Sequence, residues 1–343
     1  MSERLRVAII AGGRSSEHEI SIASARSVLQ ALDPERYDTT AIEIGKSGRW
    51  ELGAAELASL PPLSSGGADV ETLPVVAESA PAAALGEVDV ALPILHGPFG
   101  EDGTVQGLLE LAGVPYVGAG VAASALCMDK DLFKAVLRDR GIPVARNVTL
   151  REGDAIEHPF AYPVFVKPAR LGSSVGISKV HDESELEPAV TLARRHDDKV
   201  LIEELLDGIE IECGVLGNRD PIASEVGEIV AHAEWYDFAA KYDEGGMDLI
   251  VPARIPAETA ERARALAVES FVATECEGMA RVDMFATSDG GVVVNEINTI
   301  PGFTATSVYA KLFEASGIAY GELLDRLIQL ALERHERRAT LEY

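Results

Sequence analysis

The stretch from Ala280 to Asn298 constrains this chain most. Ala280-Arg-Val-Asp-Met-Phe-Ala286 and Val292-Val-Val-Asn-Glu-Ile-Asn298 are β-rich runs on either side of Thr-Ser-Asp-Gly-Gly. An Asp-Gly turn between two such runs predicts an antiparallel hairpin. Strand side chains alternate faces, so Arg281 and Asp283 share one face, as do Glu296 and Asn298. Closing the hairpin crowds three oxygen donors and one guanidinium into a single patch. Hard oxygen donors of this kind suit Mg²⁺, which keeps waters and brings substrate phosphates with it. The alternative is a solvated face on an edge hairpin. The Arg281/Asp283 pair and the Asn298-Thr-Ile-Pro-Gly-Phe-Thr304 run argue against it.

A chain of 343 residues has room for two or three domains with their own cores. It is 47% hydrophobic, and strand-like runs alternate with helical ones, which predicts an α/β architecture. The formal charge of −26 argues against a general nucleic-acid or anionic-membrane partner. No run approaches the roughly 20 apolar residues of a membrane span, and no signal-peptide pattern precedes the first strand. Cys127, Cys213 and Cys276 are odd in number and form no metal spacing, so the expectation is a reducing cytoplasm. Arginines outnumber lysines 22 to 8, which makes the lysines informative. Lys130, Lys167 and Lys241 sit where a compact ammonium suits phosphate, whereas Lys46, Lys134 and Lys199 read as scattered surface residues.

Leu5 to Ala11 reads as a buried strand ended by Gly12-Gly13, followed by a helix from about His18 to Leu32 and a strand from Thr39 to Ile44. This opening resembles a nucleotide-binding half-fold but lacks GxGxxG. Residues 53–86, rich in Ala, Pro, Ser and Gly, read as a surface excursion. Val88 to Leu95 is a second buried strand delivering His96-Gly-Pro-Phe-Gly-Glu-Asp-Gly103 to a sheet edge, with a helix from Thr104 to Ala112 after it. From Asp129 a helix turns Leu132, Phe133, Val136 and Leu137 inward. Tyr162 to Pro168 is a strand with Lys167 at its exit, ahead of Gly172-Ser-Ser-Val-Gly176 and the strand Ile177 to Val180. A glycine- and serine-rich turn lets backbone N–H groups approach phosphate oxygens, and the strand lysine before it strengthens that reading. Val200 to Leu206 continues the sheet, and its connector presents backbone amides and Glu203 to an adenine edge.

These runs, in this order, resemble the ATP-grasp fold and, within it, the D-alanine–D-alanine ligase family, over nearly the whole chain. Gly12 to Ser21, His96 to Gly103, Met128-Asp-Lys130, Lys167 to Gly176, Tyr236 to Tyr242 and Arg281 to Phe303 carry the likeness. The resemblance implies an N-terminal Rossmann-like pre-ATP-grasp domain (1–120), a central ATP-grasp subdomain (121–207) and a C-terminal one (208–343) holding the metal site and a flap at about 233–249. It implies an ATP-dependent ligase that phosphorylates one D-alanine and joins it to a second for peptidoglycan. The protein would work as a homodimer with two Mg²⁺ ions, replaceable by Mn²⁺.

Residue by residue, the likeness implies that Asp283, Glu296 and Asn298 hold metal. Lys130, Lys167, Ser173, Ser174, Glu203, Glu204, Leu206, Glu210, Lys241, Asn295 and Glu296 would bind nucleotide. Glu17 would pair with the first D-alanine's ammonium, near His96. Ser173 and Tyr242 would tie the flap to Glu17, while Arg281 and the Gly302 N–H would form an oxyanion hole and Ser307 would take the second carboxylate. The chain departs from the family pattern at Leu171, Glu204, Ile209, Ala305, Val308 and Ala310. Val308 neighbours the second-substrate position, so a D-lactate or D-serine ligase is the close alternative and an inactive ATP-binding paralogue the distant one. Tyr242 favours an amine nucleophile, because D-lactate-forming relatives usually lose the Lys-Tyr flap pair.

Overall fold

A computed structural model describes residues 4–52, 85, 88–172, 175–231 and 247–342, with the side chains of 51, 52 and 231 excepted. The excursion at 53–84 and 86, the loop serines Ser173 and Ser174, the flap from 233 to 246, and Lys241 and Tyr242 within it lie outside the described residues.

The first sheet has the order β3-β2-β1-β4. Strands β1 (Leu5–Gly12), β2 (Tyr37–Ile44) and β4 (Val90–Ile94) run parallel, and β3 (Trp50–Leu52) pairs antiparallel at the edge. Parallel strands are covered on both faces, which is why β1 and β4 read as unbroken apolar runs. One face packs helix α1 (His18–Ala31) through Ile22, Ala25 and Val28. The other packs helix α2 (Thr104–Leu111) through Val105 and Leu109. The last helix, α8 (Tyr320–Ala339), returns to this domain: Leu323, Leu324, Leu327, Ile328 and Ala331 share a core with Val7, Ile9 and Ala11.

The second sheet is antiparallel with the order β5-β8-β6-β7. It comprises β5 (Asn147–Leu150), β6 (Val164–Pro168), β7 (Ser178–Val180) and β8 (Val200–Glu204). Val164, Val166, Val200 and Ile202 bury against helix α5 (Glu183–Ala193), leaving Lys167 and Glu203 on the opposite face. Helices α3 (Val121–Met128) and α4 (Lys130–Asp139) lead into it. The side chain of Asp129 caps α4, accepting from the Asp131 and Leu132 N–H groups at 3.2 and 3.1 Å. Leu132, expected to turn inward, is exposed. The buried stripe is Lys130, Phe133, Lys134 and Leu137, the i, i+3, i+4, i+7 face of this helix.

The third sheet, β11-β10-β9-β12-β13, is antiparallel. Its strands are β9 (Gly208–Gly217), β10 (Ile222–Ala231), β11 (Met247–Ile250), β12 (Gly278–Thr287) and β13 (Val292–Asn298). Residues 247–249, expected to end the flap, belong to edge strand β11. Helix α6 (Ala257–Ala273) covers one face, over Ile211, Cys213, Val215, Val282 and Met284. Gly214 lies on the other face, where a Cβ would come within 2.7 Å of Phe313 on helix α7 (Val308–Ala315). A side chain there would push α7 off the sheet. Among the described residues no helix is long and apolar enough to cross a membrane.

Candidate active site

The hairpin closes as expected, with Arg281 opposite Asn298 and Asp283 opposite Glu296. A bulge between Asp283 and Met284 makes Asn295 the extra residue. Without it, simple alternation would place Glu296 on the same side as Val292 and Val294, which are buried beneath α6. The bulge shifts the phase, so Ile297 faces the core and Glu296 and Asn298 join Arg281 and Asp283 in the cleft. Strand β9 adds Glu212 beside Asp283, with Glu210 two residues away on the same face.

These groups are tightly linked. Arg281 Nε and Nη2 donate to the two oxygens of Asp283, each at 2.7 Å, and Nε lies 3.0 Å from Glu212 Oε2. Asn298 Nδ2 donates to Asp283 Oδ2 at 2.9 Å. Burial alone would lower the Arg281 pKa, but Asp283 and Glu212 outweigh it and hold the guanidinium charged. Lys130 bridges the subdomains. Its ammonium lies 3.2 Å from Glu296 Oε2 and donates to the Leu171 carbonyl at 2.9 Å. Its backbone N–H donates to the Ala169 carbonyl, fixing the start of α4 on the exit of β6.

The lysine distribution differs from expectation. Lys134 and Lys199, read as surface residues, are buried, because α4 and β8 turn them toward acidic partners. Lys199 pairs with Asp129 at 2.7 Å and with Asp131 at 3.2 Å. Lys134 pairs with Glu203, whose other oxygen accepts from Lys167 Nζ at 2.6 Å. Glu203, expected at the adenine edge, therefore has both oxygens engaged by ammonium groups. Glu204 points to the opposite face of β8, where Arg146 holds it through its N–H and side chain at 2.5–2.9 Å. Glu204 ends β8, its N–H donating to the Arg146 carbonyl at 3.1 Å, and Leu206 follows in the connector to the third sheet.

At the far end of the cleft, Glu17 stands just ahead of α1 and is buried. A Cβ on Gly97 would lie 2.9 Å from its Oε2, so the missing side chain at Gly97 makes room for this carboxylate. Gly172 faces the same oxygen, its Cβ position 3.8 Å away, which brings the Gly172 end of the glycine-serine loop to Glu17. Ser15 Oγ donates to the His96 carbonyl at 2.7 Å. His96 Nδ1 donates to the Ile300 carbonyl at 3.0 Å, and Glu101 accepts from the N–H groups of Gly97 (2.6 Å) and Ile300 (3.3 Å). Both backbone groups of Ile300 are thus held from the first domain, two residues before Gly302. Burial lowers the His96 pKa and raises that of Glu101 to about 8, the nearby Glu17 charge adding to the latter. Ser307 caps the approach to α7: its Oγ accepts from the Thr304 N–H at 2.9 Å and lies against Gly302.

The structure links Lys167 to Glu203, Lys130 to Glu296, and Arg281 to Asp283, Glu212 and, through Asp283, Asn298. It sets Glu17 beside Gly97 and Gly172, His96 on the Ile300 carbonyl, Ser307 against Gly302, and Glu210 on the face of Glu212. It leaves the Glu204 side chain outside this group. Sequence reasoning missed Lys134, Glu212, Glu101 and Ser15. Lys134 carried a signal, since it lies one helical turn after Lys130. Glu212 carried another, the alternation with Glu210 on a strand beside the hairpin. Among the described residues no three His, Cys, Asp or Glu side chains form a closed metal cage. Asp283, Glu296 and Asn298 could offer two carboxylates and one amide to a divalent cation, and Mg²⁺ at phosphoryl-transfer sites is held by one or two carboxylates with phosphate and water.

Comparison with known proteins shows the family and the fold. The family description "D-ala D-ala ligase N-terminus" matches residues 6–119, and "D-ala D-ala ligase C-terminus" matches residues 136–329. D-alanine--D-alanine ligase A of Chromobacterium violaceum is 48% identical over 96% of each chain. The crystal structure of VanG D-Ala:D-Ser ligase from Enterococcus faecalis superposes with a TM-score of 0.84 at 37% identity, covering 96% of this chain and 100% of that one. That of D-alanine--D-alanine ligase from Bacillus anthracis complexed with ATP gives 0.77 at 29%, covering 97% and 99%. The mixed α/β fold is the ATP-grasp fold these neighbours share, and this chain belongs to the D-alanine–D-alanine ligase family.

Proposed function

We propose that this protein uses ATP to join two D-alanines into D-alanyl-D-alanine for peptidoglycan. The observation that carries the reading is a run of side-chain contacts joining the second sheet to the third, from Lys167–Glu203 through Lys130–Glu296 to Asp283–Arg281, with Lys130 also donating to the Leu171 carbonyl. Lys130, Lys167 and the Asp283/Glu296/Asn298 face stand at one end of it, and Glu17, Arg281, Gly302 and Ser307 toward the other. The three sheets fall within 1–120, 121–207 and 208–343, which supports treating these as the three structural parts that close on it.

In this reading Lys130 and Lys167 meet the phosphates, and Asp283, Glu296 and Asn298 hold Mg²⁺. When bound, the metal neutralises the β- and γ-phosphate oxygens. Glu17 pairs with the ammonium of the first D-alanine and orients its carboxylate toward the γ-phosphorus. A carboxylate oxygen attacks, ADP leaves, and the product is an acylphosphate. The amine of a second D-alanine, its carboxylate held at Ser307, then attacks the acyl carbon. The carbonyl oxygen becomes an oxyanion facing Arg281 and the Gly302 N–H. Two contacts on Asp283 and one on Glu212 fix the guanidinium plane, so Arg281 needs no reorganisation as that charge develops. Collapse expels phosphate and leaves the dipeptide, the nucleophile's protons passing to solvent or phosphate. Ser173, Ser174, Lys241, Tyr242 and the flap complete the site by family likeness, and a lid suits an acylphosphate that water would destroy.

The test is phosphate release from ATP across a panel of D-amino and D-hydroxy acids, with product identification by mass spectrometry. D-Alanyl-D-alanine as the main product is expected. A depsipeptide or a D-alanyl-D-serine product would overturn the choice of second substrate. Absence of D-alanine-dependent phosphate release would overturn the ligase reading itself.

A further inference from the structure

Glu203 is 3% exposed and is met by two ammonium groups, Lys167 on one oxygen and Lys134 on the other. The two lysines differ in access. Lys167 is 7% exposed at the exit of β6, beside the glycine-serine loop, whereas Lys134 is completely buried. A bound nucleotide can therefore draw on Lys167 and cannot reach Lys134. The Lys134 ammonium lies directly against the second Glu203 oxygen, while burial and the neighbouring Lys167 and Lys130 charges press its pKa down. A buried carboxylate whose partner moves away is strongly penalised unless another cation remains in place. Helix α4 supplies two ammonium groups on one face, Lys130 toward Glu296 and, one turn later, Lys134 toward Glu203.

We propose that Lys134 is a positioning residue for nucleotide binding. It remains as the counter-ion of Glu203 when Lys167 turns to the phosphates, so that Lys167 is released without stranding a buried negative charge. This rests on the reading of the cleft as the nucleotide site. Without Lys134, Lys167 stays bound to Glu203, and the phosphates lose a cation although every group that touches them is still present.

The experiment titrates the full-length protein with the Mg²⁺ complex of a non-hydrolysable ATP analogue by calorimetry. Lys134→Met is expected to weaken binding at least about tenfold. The double variant Lys134→Met/Glu203→Gln, which removes the charge needing compensation, is expected to recover affinity to within about tenfold of wild type and above that of Lys134→Met. A purely structural lysine would give no such recovery. Wild-type affinity in Lys134→Met, or a double variant that binds no better than the single, overturns the proposal. Should Lys134→Met fail to fold, the double variant decides alone, and binding more than about tenfold weaker than wild type overturns the proposal. Lys167→Met separates the two levels. If it binds like wild type, the nucleotide-site reading fails. If it loses affinity while Lys134→Met does not, only the role of Lys134 fails.

Discussion

Arg281→Lys is the substitution that most directly tests the geometry of the cleft. Arginine donates from Nε and Nη2 to the two Asp283 oxygens at 2.7 Å, with Nε also 3.0 Å from Glu212, and neither contact uses Nη1. A lysine keeps the charge but offers a compact point donor on a flexible stem. It can satisfy one carboxylate well, at the expense of the other and of any donor aimed at the Gly302 side. Loss of a single oxyanion donor lowers kcat about 10²–10³-fold, or about 2.7–4 kcal/mol. The broken fork on Asp283 is expected to lower folding stability by about 1–3 kcal/mol, since these are charge-assisted bonds in a mostly buried site. Nucleotide affinity should change by less than about tenfold, because the interaction removed is made with the acyl centre. Steady-state phosphate release at saturating D-alanine, calorimetric titration with nucleotide, and a thermal melt measure the three quantities. A folded Arg281→Lys enzyme with kcat within tenfold of wild type would refute the reasoning.

Asp283→Asn and Glu296→Gln weaken donor charge without removing volume, so turnover should fall roughly hundredfold or more; activity retained at saturating Mg²⁺ contradicts the metal assignment. The circular dichroism melt should change little for Glu296→Gln, whereas Asp283→Asn also breaks the Arg281 fork and should lose about 1–3 kcal/mol. Burial and Glu17 raise Glu101 from 4.5 to about 8, so the folded protein holds this proton more tightly than the unfolded chain. Its contribution is full below pH 4.5 and is lost as pH rises through about 8. Wild-type stability relative to Glu101→Gln should therefore fall across that window by at most about 1.4 kcal/mol per pH unit, and a flat difference in urea titrations refutes it. Lys199→Met leaves Asp129 buried without its 2.7 Å partner and should destabilise the protein by about 3 kcal/mol in urea, a loss under about 1 kcal/mol contradicting the burial argument.

What was legible in the sequence follows the range of the interaction involved. The hairpin could be read because its turn residues and its alternation are both local. The bulge at Asn295 could not, since it is set by competition between burying Val292, Val294 and Ile297 and turning Glu296 to the cleft. Lys134 was misread for a similar reason. Lysine composition suggests surface, and only the approach of α4 to β8, 69 residues further along, supplies the carboxylate that makes burial tolerable. Leu132 was the mirror error, an apolar residue taken as core although it lies off the stripe set by Phe133 and Leu137. The motif from His96 to Gly103 was recognised by likeness, yet its clamp on Ile300 depends on a contact across 199 residues that no periodicity reveals.

The charge pattern of the cleft also bears on why metal and nucleotide must arrive together. Among the described residues, Lys130, Lys134, Lys167 and Arg281 are paired with Glu203, Glu212, Asp283 and Glu296, and Glu17 and Glu210 add further carboxylates on the same side. A triphosphate carries about four negative charges near neutral pH, and the protein as a whole is at −26. A bare nucleotide approaching lysines already paired with carboxylates on an acidic protein gains little net attraction, and drawing those lysines to itself would expose the carboxylates they hold. Two divalent cations, were they held by Asp283, Glu296 and Asn298 as proposed, would carry as much charge as the triphosphate and would free Lys130 from Glu296. On the proposed reading, carboxylates that hold the lysines would favour the metal complex over bare nucleotide, because a lysine paired with a carboxylate is released only when another cation takes its place.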